Sequence, residues 1–518
     1  MADGLTGMHT RTSGNYSVGE RIACEAFASP RLFLALTVGM AALLLVGVLG
    51  YNSRDTRSLR KYKARLRAQG ERLTLADLEP APGIDYSSAA LLMGAGSRLN
   101  TFGLCPGNLD LMVCVAPGRA KVAWKQDTPP WINTRAGQQV VGWDEFGAGM
   151  GKAADSLAAL REVLKDPPRI CRAPGARLLQ APLPNLVHLR LTAQWMCGDA
   201  VGNLREGRME EALQDLEALA ACAQVNRDDY TLVAQMIRVA IAGLGLAVTW
   251  EALQAPGWTE RQLERLQKAW EPVDLVDALE RGFVGIRAGG EETWGLAHRG
   301  AGGQQLRKLF VLNACTNLTV QTFMSDYVLF PIYKLTGIDE DELFYLESIQ
   351  GTISAIRLIK KGQPWTEAAD GLNQASVKLD KISRSPQRFQ HWLSFLVMPN
   401  CIRAVQAGTR NETLRQLTLT AIALKRFQMR HGTLPLNLRA LSPEILAAPT
   451  YDPLSGQPLQ YIVKDDGRYI LYSVGQDGRD DGGETPFWYR GKYGLWEEPD
   501  AVWPEAMAAP MEYSSAER

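Results

Sequence analysis

The chain reads as a mainly α protein with a single N-terminal transmembrane helix and a small C-terminal α+β module carrying an antiparallel sheet. Three observations carry that expectation. Leu32–Ser53 holds 22 residues without a charge, bounded by Arg31 and Arg54. From about residue 184 to 400 the apolar side chains recur at helical spacing. Near the C-terminus, two short runs rich in aromatic and β-branched residues flank Asp466-Gly467, a strong hairpin signal. The organisation expected is a cytoplasmic tail at 1–31, the transmembrane helix at 32–53 and a basic juxtamembrane helix with an irregular region at 54–180. An α-helical domain follows at 181–404, and the α+β module at 405–518.

At about 1.5 Å per residue the charge-free stretch is long enough for a hydrocarbon core of roughly 30 Å. Its apolar heart, FLALTVGMAALLLVGVL, exceeds the roughly 7–15 residues of a cleaved signal peptide, so a retained anchor is expected. Beyond it, Leu59, Tyr62 and Leu66 lie at helical spacing among Arg54, Arg57, Arg60, Lys61, Lys63, Arg65 and Arg67. This segment is expected to continue the membrane helix, with its basic groups near lipid headgroups. A solvated charged face is the alternative.

Residues 71–180 are rich in glycine and proline and give few firm elements. Thr74–Asp77 suits a short capped helix, the stretch Cys105–Trp124 suits short strands, and Lys152–Leu164 reads as a helix. In the helical domain, Met209, Ala212, Leu213, Leu216, Leu219 and Ala220 form one apolar face. Glu210, Glu211, Gln214 and Asp215 are assigned to the opposite, polar face. Helical hairpins of tetratricopeptide-like form fit this pattern, although no 34-residue period is sustained. Thr259 and Gln262 have capping-box spacing ahead of Leu263, Leu266 and Trp270. Glu291 and Glu292 follow a glycine pair, which suits a mobile loop. Leu309–Met324 lacks charge but is short and polar, so it reads as a buried helix.

In the C-terminal module, Arg415–Met429 reads as a helix stopped by Gly432. Ser442 before Pro443 has the form of an N-cap with proline at the first helical position. Strands are expected at Leu459–Val463 and Tyr469–Val474. An acidic loop then supplies Asp477, Asp480 and Asp481 among four glycines. Hard cations such as calcium take six to eight oxygen ligands, which a flexible acidic loop can offer, while a solvated turn is the plain alternative. Arg479 stands where an EF-hand needs Asp or Asn.

The order helix end, Asp-Pro turn, hairpin and acidic loop over His431–Gly483 resembles the C-terminal half of type II secretion pseudopilins, the major pseudopilin above all. YSVGQDG resembles that family's Ser-x-Gly-x-Asp-Gly run, and Asp500 in DAVW resembles its Asp-Ile element. The resemblance implies a calcium site drawing on Ser473, Asp477, Asp480, Asp481 and Asp500. It covers about the last 100 residues; no Gly-Phe-Thr-Leu-x-Glu processing motif precedes the anchor, and an aromatic insert at Thr485–Pro499 departs from the family. The segment RAQGERLTLADLE resembles uncharacterised bacterial single-pass membrane-anchored helical proteins, which implies architecture alone.

Lys plus Arg equals Asp plus Glu at 56 each, so bulk charge makes no case for nucleic acid. The eight cysteines form no CxxC or Cys/His cluster of the kind zinc needs. Cys105 and Cys114 lie close enough to pair after export, whereas Cys197, Cys222 and Cys315 suit free buried thiols. HExxH, GxSxG, P-loop and dinucleotide fingerprints are missing from the sequence. His188 suits a structural role in its apolar stretch, and His431 suits the end of a helix. The insert's Phe487, Trp488, Tyr489, Tyr493 and Trp496 suit a sheet cover or a partner contact.

By flanking charge the large domain falls in the cytoplasm; by its module it falls outside. The expectation taken forward is a single-pass protein of the bacterial cytoplasmic membrane, with its large domain extracytoplasmic. It would act without catalysis as an interaction or scaffold protein linked to secretion or the cell envelope, contacting membrane lipid through its anchor and binding an envelope protein partner. The alternatives are an extracytoplasmic hydrolase with carboxylates converging from the helical domain, or a calcium-dependent ligand-binding module.

Overall fold

A computed structural model describes residues 54–78, 86–99, 104–106, 122–129, 132–134, 141–171, 184–299, 330–385, 390–398, 401–483 and 500–503, with positions 38, 101, 102 and 388. Apart from Val38, the anchor at 32–53 lies outside the described residues, as do the tail at 1–31, Leu309–Met324 and the aromatic insert. Cys114 and Cys315 also lie outside them, and of Cys105 only the backbone is described.

Helix α1 spans residues 54–68. A 3-10 turn at Ala76–Leu78 follows, closed by Asp77 N–H donating to Thr74 Oγ1 at 3.3 Å and Thr74 N–H donating to Asp77 Oδ2 at 2.9 Å. These are the reciprocal bonds expected of that pair. Next come α2 (Tyr86–Leu99) and an antiparallel strand pair, β1 (Leu104–Pro106) with β2 (Ile132–Thr134). Cys105 lies in β1, a short strand of the kind expected in that stretch, and Trp124 lies in a second 3-10 turn.

The helical region continues with α3 (Trp143–Leu164), α4 (Pro184–Arg205), α5 (Met209–Cys222), α6 (Leu232–Leu253), α7 (Glu260–Trp270) and α8 (Leu275–His298). It proceeds through α9 (Phe330–Thr336), α10 (Ile338–Lys360), α11 (Trp365–Ser383), α12 (Trp392–Val397) and α13 (Cys401–His431). The chain is therefore mainly helical. The capping box at Thr259–Gln262 is complete and starts α7. Consecutive helices pack as hairpins: α4 lies on both α5 and α6, and α8 lies on α10.

Helix α6 is long and apolar enough to cross a membrane on length and composition alone. It sits in mid-chain, however, with 56% of its apolar window buried in the protein. Its buried Gln235 and Arg238 are satisfied by neighbouring helices and turns: Arg238 Nε donates to Ala223 O at 2.8 Å and Gln235 Nε2 to Asn226 O at 3.0 Å. A core helix explains these partners directly.

The buried apolar residues form two clusters. One joins α2–α7, most of α13 and the C-terminal sheet; the other joins α1 and α8–α12. Helix α13 enters both, through Leu417, Ile422 and Leu424 on the first and Val405 on the second. It begins 14 residues before the expected Arg415 and stops at Gly432, whose N–H donates to Gln428 O at 2.8 Å.

The C-terminal sheet is antiparallel in the order β3 (Gln460–Val463), β4 (Tyr469–Ser473), β5 (Ala501–Val502). Asp466-Gly467 turns the hairpin as expected, with Gly467 at φ +77° and Lys464 N–H donating to Arg468 O at 2.8 Å. Leu441, Leu459, Leu471 and Ala501 belong to the same cluster as the helical hairpins.

Two local expectations are corrected. Ser442 does not cap a helix: residues 442–445 make a single turn closed by Ile445 N–H to Leu441 O at 2.9 Å, and a 3-10 helix at Leu438–Leu441 precedes it. Asp215 is not on a solvated face but is fully buried. Its carboxylate accepts from Arg161 Nη1 at 2.5 Å and Asn203 Nδ2 at 2.9 Å, since α3 and α4 both reach that side of α5. Cys197 and Cys222 are free buried thiols, and burial raises both above the ordinary thiol range.

Candidate functional site

Two places gather ionisable groups. The first is a polar seam along α8 and α10, which run antiparallel and are capped on one side by α1. Lys63 lies four residues after Leu59 and three before Leu66, so its stem shares their inward face. Its ammonium donates to Glu291 at 2.9 Å and to Glu342 at 2.5 Å. Burial opposes the charged lysine, but the two carboxylates outweigh it and hold its pKa above the ordinary value.

The basic helix therefore does not turn all its charges outward: Lys63 enters the protein, while Arg54, Arg57, Arg60, Lys61, Arg65 and Arg67 stay exposed.

Glu291 is helical rather than part of a loop. The glycine before it is a packing position: a Cβ at Gly290 would run into the Tyr345 ring of α10. At the same end, His298 Nε2 lies 3.2 Å from Glu342 Oε2 and 3.4 Å from Asp339 Oδ1, and Thr56 of α1 also bonds Asp339. Burial raises Glu291, reinforced by the charge of Glu342. Glu342 is itself buried, but His298 and Lys63 overcome that cost and lower it.

Further along the seam, fully buried Arg287 donates to Glu71 Oε2 and to Arg72 O, each at 2.9 Å, and also bonds Gln350. Arg357 bonds Glu71 and Glu280, and Lys360 Nζ donates to Asp277 at 2.8 Å. Burial works against ionised Glu71, but Arg357 and Arg287 bring it down to about 2. A cavity of about 270 Å³ opens here, between the segment leaving α1 and the facing ends of α8 and α10.

The second place is the acidic loop, and the structure divides the five expected ligands. Asp500 is buried, and its Oδ2 accepts from Asp481 N–H at 3.1 Å and Gly483 N–H at 2.8 Å. Asp480 Oδ1 accepts from the Tyr472 hydroxyl at 2.9 Å and Gly482 N–H at 3.0 Å. Asp500 is thus bonded to the turn that carries Asp480 and Asp481. Burial, with the charges of Asp481 and Asp480, raises Asp500 to about 6. Its Oδ1 is buried without a hydrogen-bond partner among the described residues.

Ser473 and Asp477 point elsewhere. Ser473 accepts from Gly475 N–H at 3.3 Å and bonds Asp452, while Asp477 caps Arg479 N–H at 3.1 Å in an exposed turn. Asp452 is a buried organiser that the ligand set omits; the Asp-Pro turn was its sequence signal. It accepts from Leu454 N–H at 2.9 Å, Ser455 Oγ at 3.0 Å and Val474 N–H at 3.3 Å.

Among the described residues, His298, Asp339 and Glu342 are the group of three side-chain ligands whose donor atoms lie within 4.8 Å of one another. That donor set suits a divalent cation, but the Lys63 ammonium already neutralises Glu342 there. The loop aspartates are not gathered that closely. Comparison with protein-family models, with curated proteins and with solved structures finds no match.

Proposed function

We propose that the chain is a membrane-anchored extracytoplasmic protein, held by Leu32–Ser53, that works as a non-catalytic interaction or scaffold protein of the bacterial envelope. The observation that carries this reading is the seating of α1. The helix directly after the charge-free stretch is fixed on the helical domain through Leu59, Leu66 and Lys63, with Glu71 securing the segment behind it. An anchored domain with such a mount transmits its position to the membrane rather than swinging on a linker. The paired carboxylates that a hydrolase would use, Glu291 and Glu342, share a lysine between them, and that engagement favours a structural role.

Reporter fusions at residue 70 and at the C-terminus test the topology, and both are expected to report the extracytoplasmic side. Recovery from intact membranes after cross-linking is expected to yield a reproducible envelope partner. Cytoplasmic reporter signals at both positions, or no partner above background, count against the proposal.

A second reading, from the resemblance to the major pseudopilin, is calcium binding by the acidic loop. Its support is the buried Oδ1 of Asp500, without a hydrogen-bond partner among the described residues, beside Asp480 and Asp481. Calcium is a hard cation that takes such oxygens. Calorimetry of the full chain in micelles is expected to give saturable calcium binding that Asp500→Asn removes; titration heats unchanged by that substitution discard this reading.

A further inference from the structure

We propose that the cavity at the Asp277–Lys360 end of the seam is a binding site for a small phosphoryl-type oxyanion, held by Arg72 and Arg281. Size and lining narrow the ligand first. At about 270 Å³ the cavity takes a phosphate or a small phosphate ester; pockets for drug-sized molecules run from roughly 300 to 1,000 Å³. Val284 is its sole large aliphatic lining residue, so an apolar ligand has nothing to gain there.

Charge narrows it further. Five cationic side chains line the cavity against three carboxylates, leaving two positive charges in excess. The carboxylates are already engaged: Glu71 by Arg287 and Arg357, Glu280 by Arg357 and Lys360, and Asp277 by Lys360 at 2.8 Å. The surplus therefore resides on Arg72 and Arg281. Arg281 meets Asp277 at a distant 3.4 Å, and its Nε is buried with no hydrogen-bond partner among the described residues.

Both surplus guanidiniums lie against the same ring. Arg72 is 5.4 Å and Arg281 5.1 Å from the centroid of Tyr230. The ring orients both, and both line the one cavity, so an anion seated there meets two positive charges that the cavity's carboxylates do not closely hold. Arg287 adds a fixed positive charge to the cavity wall. Its side chain has no exposed surface, it lines the cavity, and its Nε also lacks a partner among the described residues. Planar guanidinium forks match phosphoryl oxygens in two-point contacts, which a single ammonium cannot do.

The test is calorimetric titration of inorganic phosphate into the full chain in detergent micelles, at constant ionic strength with chloride as the control. One saturable site is expected, weakened at least about tenfold by Arg72→Gln and by Arg281→Gln. Arg72 is exposed, so its variant isolates binding from folding; an unfolding midpoint unchanged without phosphate verifies this. If Arg281→Gln fails to fold, the Arg72→Gln titration decides alone. Heats matching chloride, or phosphate affinity unaffected by Arg72→Gln, overturn the proposal. Succinate binding more tightly than phosphate also overturns it, since the site would then select carboxylates.

Discussion

Glu71 and Arg287 are 216 positions apart in the chain, and Oε2 of the first accepts from Nη2 of the second at 2.9 Å. Their side chains are 8% and 0% exposed, so removing Glu71 strands the Arg287 charge out of water, whereas Glu71 without Arg287 would keep Arg357. Glu71→Ala is expected to lower the unfolding free energy by about 3–5 kcal/mol. Adding Arg287→Met to that variant should recover much of the loss, because an apolar pair needs no compensation. Denaturant unfolding in micelles checks both; a single-variant loss below about 0.5 kcal/mol would mean the pair is open to solvent.

The same carboxylate sets an acid limit. Its folded pKa of about 2 is below the ordinary 4.5, so its contribution is fully present above about 4.5 and disappears as pH falls towards 2. The wild-type midpoint should drop over that window more steeply than that of Glu71→Gln. Parallel curves for the two proteins would remove Glu71 as the cause.

Glu251 has the opposite sign. Burial raises it to about 8, against the Trp124 and Ala123 N–H groups that favour its ionised form. The folded chain retains a proton that the unfolded chain releases, so stability falls as pH rises from about 4.5 to 8. Glu251→Gln retains an acceptor for Trp124 and is expected to melt higher than the parent at pH 9, with little difference near pH 4. A parent equally stable at both ends, relative to the variant, contradicts the assignment.

Asp500 repeats this sign in the loop. Raised from 3.8 to about 6, it costs stability as pH climbs between those values. Asp500→Asn is expected to flatten that part of the stability profile, as followed by thermal melting without added metal. An unchanged slope would place the titration elsewhere.

Glycine substitutions separate close packing from helix propensity. A Cβ at Gly285 would strike the Tyr230 carbonyl, whereas Gly351 of α10 has nothing within 4 Å. Gly285→Ala should therefore destabilise by about 2 kcal/mol or more. Gly351→Ala should stabilise by up to about 1 kcal/mol. Equal effects would refute the close approach of α8 to the segment before α6.

What could be read in the sequence was short in range. The Thr259–Gln262 box, the Asp466-Gly467 hairpin and the apolar face of α5 each depend on neighbours within a turn or two. Lys63 carried half a signal, since it falls on the Leu59–Leu66 stripe, but Glu291 is 228 positions away and no local pattern announces it. Asp215 was misplaced for the same reason. Its charge fits a wet face by periodicity, and Arg161, which makes burial tolerable, belongs to another helix. The acidic loop was legible as acidic; that Asp452 draws Ser473 away from it was not, because β4 brings those two together only in the fold.

Helix α13 supplies late residues to both apolar clusters, and this gives the protein a timetable. Leu417 and Leu424 join a cluster that begins at Leu92 and ends at Trp503, and Val405 joins the second, which ends at Leu454. Until those residues leave the ribosome, faces on α6, α7 and α8 lack their cover. At roughly 5–20 residues per second the wait from Leu92 to Leu424 lasts on the order of tens of seconds. Through that interval the nascent chain carries unsealed apolar surface, so its dependence on holding factors should fall once this late helix is made and end with the last strand of the sheet.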